Sequence, residues 1–286
     1  ALDRTVFAAG AGGALLVLGG TALHFVPGPI TPLRALLAGD LLLLLLLAVV
    51  ARRGTPLRAP RPSREVMVQV ALLLLLALAL RLPNLGYSEF QGDEAAVMLK
   101  AAAAVDGRAD ALFVHKKGPA EIVVTAVLFG LSGTTSETAA RLPFALAMIA
   151  GLLTLYQLGR VLFGPQVAFV AAVLLCLNGF FVAFGRIVQY QAFVFLFSTL
   201  AVLAAWRTRS GLLARRHLAA TVVLLAVALL AHYDALFALP PVLYAWWRRW
   251  RDRPEARRGD GKVVAATGAA AALLLAAFYG ALMAHP

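Results

Sequence analysis

Residues 66–82 read VMVQVALLLLLALALRL, seventeen residues in which Gln69 and Arg81 alone are polar. A helix needs about 20 apolar residues to cross the hydrocarbon core of a bilayer, and an open sheet edge leaves backbone groups unsatisfied there. Comparable runs of Leu, Ala and Val recur along the 286 residues, of which 62% are hydrophobic and 14% charged. The sequence therefore predicts an all-α, polytopic transmembrane helix bundle.

The apolar runs and the basic segments between them predict the path of the chain. The runs fall near residues 5–26, 33–51, 66–82, 119–133, 142–161, 165–184, 188–206, 217–233, 234–247 and 263–283. Short loops rich in Arg and Lys stay on the cytoplasmic side, which applies here to 52–64, 207–216 and 248–262. Residues 83–118 then form a large first external loop with amphipathic juxtamembrane helices. The short run 119–133 suits a re-entrant or interfacial segment, which leaves about nine spans.

Two units are expected in this multi-pass protein of the cell (inner) membrane. Residues 1–64 would form an N-terminal transmembrane hairpin with its basic cytoplasmic loop, and residues 65–286 the core bundle. The net charge of +12 comes from Arg in short loops, where it orients helices and does not contact nucleic-acid phosphates. The expected partners therefore include membrane lipids and exclude nucleic acid.

The first external loop is unusually acidic. It holds five of the fourteen acidic residues: Glu89, Asp93, Glu94, Asp106 and Asp110. Carboxylates at the rim of a hydrophobic body are candidates for reacting groups. Asp93 and Glu94 follow a chain break at Gln91–Gly92 and precede an alanine-rich helix. Capping of that helix would by itself favour acids at this point, and the alternative is a general base or a metal ligand.

The predicted topology places polar groups of three further segments on the same external face. They are His115, Lys116 and Lys117, then Arg186 and Gln191, then His232, Tyr233 and Asp234. Lysines beside the start of a helix can bind a phosphate, although they also serve as interfacial anchors. Arg186 can clamp a phosphate bidentately or extend to lipid head groups. A polar turn alone would account for residues 232–234.

Five segments follow one another in a family-like order: Arg81-Leu-Pro-Asn-Leu85, Asp93-Glu94, His115-Lys-Lys-Gly-Pro119, Phe129-Gly130…Ala139-Ala-Arg141-Leu-Pro143, and Arg186. Over roughly residues 66–250 the chain thereby resembles the GT-C class of membrane glycosyltransferases. That class includes protein O-mannosyltransferases, lipid A aminoarabinose transferases and bacterial family-39-type members. The resemblance implies an inverting transfer from a polyprenyl-phosphate-linked sugar donor to a lipid, glycan or protein acceptor at the external face.

The resemblance also implies roles for particular residues. Asp93 would deprotonate the acceptor hydroxyl or hold it through a divalent metal, and Lys116, Lys117 and Arg186 would meet the charge of the leaving phosphate. Gly118 stands where the family motif has its first Pro. Gln191 stands where many relatives have an acid, which weakens a metal site built from two carboxylates.

The length and the polar pattern leave alternatives open. Relatives usually have more helices, so we expect the chain to be an N-terminal portion of the family's fold. A membrane transporter is one alternative, but transporters gather polar groups near the bilayer midplane, whereas here they gather at one rim. A degenerate, non-catalytic GT-C-like membrane protein is the other.

Overall fold

A computed structural model describes residues 2–51, 62–90, 92–115, 117–208 and 213–284. These residues form twelve α-helices: α1 Leu2–His24, α2 Pro32–Ala51, α3 Arg64–Arg81, α4 Gly92–Val105, α5 Ala120–Ser132, α6 Glu137–Phe163, α7 Pro165–Leu177, α8 Gly179–Phe184, α9 Gln191–Arg207, α10 Ala214–Ala231, α11 Leu239–Asp252 and α12 Arg257–Ala284. Short 3-10 helices cover Phe113–His115, Tyr233–Ala238 and Pro254–Ala256. No strand occurs in these ranges, and the predicted all-α class is confirmed.

Several helices are apolar enough to lie in a bilayer. Within the described ranges, four have both the length and the composition to cross one: Leu2–His24, Glu137–Phe163, Ala214–Ala231 and Pro254–Ala284. The helices α5, α7 and α9 are apolar but shorter. The predicted helical membrane bundle is thus confirmed, while the number of spans, about nine, stays a prediction. Much of the basic loops, at 52–61 and 209–212, lies outside the described residues.

Helix boundaries differ from the predicted runs where local chemistry interrupts them. Asn178 has an extended backbone and caps α8 by accepting a hydrogen bond from the backbone N–H of Phe181 at 3.2 Å, which divides the run 165–184 in two. The run 234–247 is a 3-10 turn followed by α11. Because α11 continues to Asp252 and α12 begins at Arg257, the prediction that 248–262 is a loop was wrong.

The short helix α5 lies at the centre of the packing. Its 13 residues are nearly all buried, and α5 packs against α1, α2, α4 and α6. At 1.5 Å per residue it is about 20 Å long, shorter than the roughly 30 Å of a hydrocarbon core. The helix α1 also packs against α6, α9 and α10. The N-terminal hairpin is therefore integrated with the core, and a division at residue 64 stays a prediction.

The two ends of the bundle carry different polar contacts. At one end, Asp3 of α1 pairs with Arg207 of α9 at 2.7 Å, and Arg249 of α11 pairs with Asp260 of α12 at 2.5 Å. We call this the basic end. The opposite end contains the end of α3, all of α4, the starts of α5, α6 and α9, and the end of α10. We call it the cavity end, because the candidate site lies there.

Candidate functional site

A polar cavity of about 460 Å³ opens at the cavity end. Its lining includes Glu89, Asp93, Glu94, Lys117, Arg141, Tyr190 and Gln191. These residues come from the loop before α4, the first turn of α4, the segment before α5, the first turns of α6, and the segment leading into α9. The fold therefore gathers charged side chains from four parts of the sequence, and polar ones from a fifth, around one space.

Asp93 lies in the first turn of α4 with an exposed side chain. The positive end of the helix dipole attracts negative charge at this position. Among the residues that the structure describes, no ion pair or hydrogen bond engages the Asp93 carboxylate. The group is thus available to accept a proton from a molecule in the polar cavity.

Glu94, the neighbouring residue, has a different environment. Its side chain is buried and forms a bidentate ion pair with Arg141. Arg141 Nε lies 2.8 Å from Oε1, and Arg141 Nη2 lies 2.8 Å from Oε2. Oε1 also accepts a hydrogen bond from the backbone N–H of Val188 at 3.0 Å. Both oxygens are engaged in holding the structure together, so proton transfer by Glu94 would require this pair to break.

Arg141 shapes the loop on one side of the cavity. Its Nη1 donates to the carbonyls of Leu85 and Ser88 at 2.7 and 3.0 Å, and its Nη2 donates to that of Glu89 at 3.3 Å. The guanidinium also lies 5.0 Å from the Tyr87 ring centroid. We did not predict Arg141 as a site residue, although a cation within an apolar helix is a general sign of function.

A second buried network lies behind the cavity wall. His115 Nε2 lies 2.7 Å from a carboxylate oxygen of Glu121, and His115 Nδ1 lies 3.2 Å from Lys100 Nζ. The other oxygen of Glu121 accepts a hydrogen bond from the backbone N–H of Tyr190. His115, predicted to bind substrate, does not line the polar cavity. It and the unpredicted Glu121 link α4 and α5 to the Tyr190 segment.

Aromatic rings connect Lys117 to the turn after α10. Lys117 Nζ lies 5.4 Å from the Tyr190 ring centroid, and the Tyr190 ring stacks on His232 at 3.7 Å with an interplanar angle of 9°. The exposed ring of Tyr233 lies 3.8 Å from His232. His232 and Tyr233 therefore reach the cavity through Tyr190 and do not line it. Lys116 lies outside the described residues.

Burial controls the protonation of this ring stack. It lowers the pKa of His232, and although the Asp234 carboxylate raises it, the net direction is down. Burial also raises the pKa of the Tyr190 hydroxyl, and the Asp234 carboxylate adds to the effect. His232 Nδ1 lies 3.2 Å from both the backbone nitrogen and the carboxylate oxygen Oδ1 of Asp234, so Asp234 holds the ring in place from one side.

The remaining predicted residues lie on either side of the Tyr190 segment. Arg186 donates to the carbonyls of Leu80, Pro83 and Asn84 at 3.1, 2.9 and 3.2 Å, and it does not line the polar cavity. Gln191 does line it, and its buried Oε1 has no hydrogen-bond partner among the described residues. The Oε1 atom of Gln191 can therefore bind a ligand, whereas the Arg186 guanidinium is already hydrogen-bonded to the end of α3 and the turn that follows it.

An apolar groove of about 550 Å³ adjoins the polar cavity. Phe184, Tyr190 and Gln191 line both spaces. From there the groove continues along α9 past Val194 and Val202. A charged pocket and an apolar channel thus share a wall.

The residues present do not fit a metal site built from several carboxylates. Within the described ranges, no group of three or more His, Cys, Asp or Glu side chains could hold a metal ion. Asp93 and Glu94 are adjacent in the chain, but both oxygens of Glu94 are engaged by Arg141.

Comparison with known families supplies an independent finding. The family model for dolichyl-phosphate-mannose-protein mannosyltransferase matches residues 116–279, more than half of the chain. A search of curated proteins and a search of solved structures gave no match. The matched segment contains Lys117, Arg141 and Gln191, while Asp93 and Glu94 precede it.

Proposed function

The chain belongs to the dolichyl-phosphate-mannose-protein mannosyltransferase family, and on that basis we propose that it transfers a sugar from a polyprenyl-phosphate donor to an acceptor hydroxyl at the external face of the cell membrane. Membership makes it a membrane glycosyltransferase of the GT-C type. We further propose the identity of the donor, the acceptor class (lipid, glycan or protein), the face at which transfer occurs and the roles of the residues.

The shared wall between the polar cavity and the apolar groove carries this proposal. A polyprenyl-phosphate sugar has a charged, hydroxyl-rich head and a long hydrocarbon tail, so it needs a polar site continuous with an apolar one. Phe184, Tyr190 and Gln191 line both spaces, so a donor whose tail lay in the groove would present its phosphate beside Lys117 and its sugar near Asp93.

In the proposed reaction Asp93 acts as the general base. Its carboxylate takes the proton of the acceptor hydroxyl as the acceptor oxygen bonds to the anomeric carbon of the donor sugar. The bond from that carbon to the phosphate oxygen breaks, and its electron pair leaves with the polyprenyl phosphate. Attack from the side opposite the leaving group inverts the configuration.

Cationic and amide groups would stabilise the leaving phosphate. Lys117 lines the polar cavity, and its ammonium can meet the developing negative charge. Gln191 lies at the entrance to the apolar groove, where its amide NH₂ can donate to the phosphate while its unpartnered Oε1 accepts from a sugar hydroxyl. Lys116 is a further candidate. For Arg186 to join them, one of its three carbonyl partners would have to release it.

A transfer assay tests the assignment of Asp93. The full chain would be incubated with radiolabelled polyprenyl-phosphate mannose and host membranes as the acceptor source. We expect Asp93→Asn to lower the transfer rate by about 100-fold or more, since a general base contributes that much. Asp106→Asn is the matched control, because Asp106 is exposed in the same loop but does not line the cavity. Unchanged transfer by Asp93→Asn would exclude Asp93 as the base.

The same assay separates an enzyme from the transporter that the sequence left open. A transporter would move the donor between leaflets with its sugar–phosphate bond intact. A glycosyltransferase releases polyprenyl phosphate and labels an acceptor. Recovery of intact donor alone, at every time point, would favour transport over transfer.

A further inference from the structure

The two faces of α11 differ sharply in what they contact. Val242, Ala245, Trp246 and Arg249 are buried against the bundle. Leu243, Tyr244 and Trp247 point outward, each about half exposed at 55%, 50% and 52%. A helix with an apolar, aromatic outer face and several cations is typical of segments that lie at a membrane interface.

On the outer face, each aromatic ring is paired with a cation one helical turn later. Arg248 Cζ lies 6.0 Å from the Tyr244 ring centroid, and Arg251 Cζ lies 5.0 Å from that of Trp247. Tyr and Trp concentrate at the level of lipid head groups. A guanidinium at that level can bind a phosphate through two parallel hydrogen bonds.

A buried ion pair fixes the rotation of α11 about its axis. Arg249 donates from Nε and Nη2 to the two carboxylate oxygens of Asp260, at 2.5 and 3.1 Å, and from Nη1 to the carbonyl of Thr208. Arg249 is 5% exposed and Asp260 is fully buried. Because Arg249 is held on the inner face, Arg248 and Arg251 are directed away from it.

The charge around this surface is strongly positive. At the basic end, the partly or fully exposed cations from α10 to α12 are Arg215, Arg216, Arg248, Arg251, Arg253, Arg257, Arg258 and Lys262. The exposed acids in the same region are Asp252 and Glu255. Clusters of four or more cations beside membrane-embedded helices attract anionic lipids.

We propose that Tyr244, Trp247, Arg248 and Arg251, which we call the α11 surface, bind the head groups of anionic phospholipids in the bilayer. The aromatic rings and Leu243 lie among the upper parts of the acyl chains, and the two guanidinium groups bind the lipid phosphates. Arg251 donates to Asp252 from Nε and Nη2 at 3.1 and 3.0 Å, and because this pair is exposed, a lipid phosphate can replace the carboxylate at low cost. A bilayer surface matches both the apolar and the cationic groups, whereas an acidic protein partner would match only the charges. This surface is at the opposite end from the polar cavity and does not depend on the proposed reaction.

Tryptophan fluorescence can test the proposal directly. All four tryptophans, Trp206, Trp246, Trp247 and Trp250, lie at the end of α9 or on α11. The full protein would be reconstituted into bilayers with equal mole fractions of brominated phosphatidylglycerol or brominated phosphatidylcholine, whose bromines quench nearby tryptophan. We expect stronger quenching by phosphatidylglycerol, and a fall of that preference by about fivefold or more in Arg248→Gln/Arg251→Gln.

A matched control removes the same charge elsewhere at the basic end. Arg4 and Arg64 are exposed at the starts of α1 and α3, and Arg4→Gln/Arg64→Gln should keep the preference. An equal loss in both double variants would mean general attraction by the whole end and would overturn the proposal. A further test uses the wild-type protein alone. Salt at 0.5 M should weaken its preference for phosphatidylglycerol, because salt screens the attraction between exposed charges. Equal quenching by the two lipids, or no quenching by either, would also overturn it.

Discussion

At the level of single residues, the pair Glu94–Arg141 determines the shape of the polar cavity. The Arg141 guanidinium holds carbonyls of the loop before α4, and the Glu94 carboxylate holds the backbone of Val188 on the other side. Both walls of the cavity are thus fastened to one buried ion pair. Removing one partner from such a pair leaves an unpaired charge in a desolvated position, which costs about 3–5 kcal/mol.

We therefore predict that Glu94→Ala destabilises the protein by about 3–5 kcal/mol, because Arg141 would remain buried without its counter-ion. The midpoint of thermal unfolding in detergent, followed by circular dichroism, measures the effect. Asp252→Ala is the control, since the pair of Asp252 and Arg251 is exposed and such pairs contribute at most about 1 kcal/mol. Similar midpoints for the two variants would contradict a structural role for Glu94.

His232 predicts a dependence of stability on pH. Burial lowers the pKa of the folded ring below its ordinary value of 6.5. As the pH falls through 6.5, His232 is protonated in the unfolded chain but not yet in the folded one. Proton binding therefore stabilises the unfolded state, and the free energy of unfolding decreases. The contribution of His232 to stability is thus intact above pH 6.5 and declines below it.

The matched variant is His232→Asn, whose side-chain oxygen can still accept the hydrogen bond from Asp234 but does not titrate. Unfolding midpoints would be recorded between pH 8 and pH 5 for both proteins, a range that brackets the ordinary value near 6.5. We expect the wild-type midpoint to fall more steeply on acidification. Parallel curves would show that His232 takes up its proton equally in the folded and unfolded states, which would contradict the lowered pKa.

At the level of elements, Gly118 explains how Lys117 comes to line the cavity. A Cβ atom at position 118 would clash with the carbonyl oxygens of Leu230 and Ala231 at the end of α10. The backbone of the segment before α5 can pass this helix end because no side chain is present. The departure from the family motif at Gly118 is therefore compatible with close packing of α10 against the cavity.

We predict that Gly118→Ala destabilises the protein by about 1–3 kcal/mol, as expected for overpacking against backbone atoms that cannot move aside. Transfer activity should also fall, because the same displacement would move Lys117 away from the cavity. The control is Gly268→Ala in α12, where a Cβ meets no atom within 4 Å. That variant should be neutral or slightly more stable. Equal effects of the two substitutions would contradict the close approach.

The sequence predicted helices well where composition alone decides them. Lipid requires every backbone group to be paired within its own segment, so a long apolar run could only be a helix. The ends of helices were less predictable. Asn178 interrupts an unbroken apolar run by capping the next helix. The helix α11 continues through Arg248 and Arg251, since Arg has a high helix propensity and a polar residue need not end a helix.

The candidate site was predictable only in part, for a related reason. Charge counting suggested that Asp93 and Lys117 lie at one end of the bundle, and they do line one cavity. Glu121 and Arg141 each appeared as a single charge near an apolar run. Glu94 is 47 residues from Arg141 in the sequence, and His115 and Glu121, six residues apart, belong to different helices, so no helical spacing pointed to either pair.

For the molecule as a whole, polar chemistry is divided between two ends. The cavity end gathers acids, Lys117 and aromatic rings, whereas the basic end gathers Arg side chains and the α11 surface. If the positive-inside tendency orients the bundle, the basic end faces the cytoplasm and the cavity opens outside. The proposed sugar donor would then lie in the outer leaflet and the proposed anionic lipid in the inner one.

This orientation predicts the sidedness of cysteine labelling. Arg108→Cys would place a thiol in the exposed loop after α4, and Arg257→Cys would place one at the exposed start of α12. The native Cys176 is fully buried and can stay. We expect a membrane-impermeant maleimide to label Arg108→Cys in intact spheroplasts and Arg257→Cys only after permeabilisation, because a charged reagent cannot cross the hydrocarbon core. Labelling of both variants from outside would contradict the topology, and the reverse pattern would place the polar cavity in the cytoplasm.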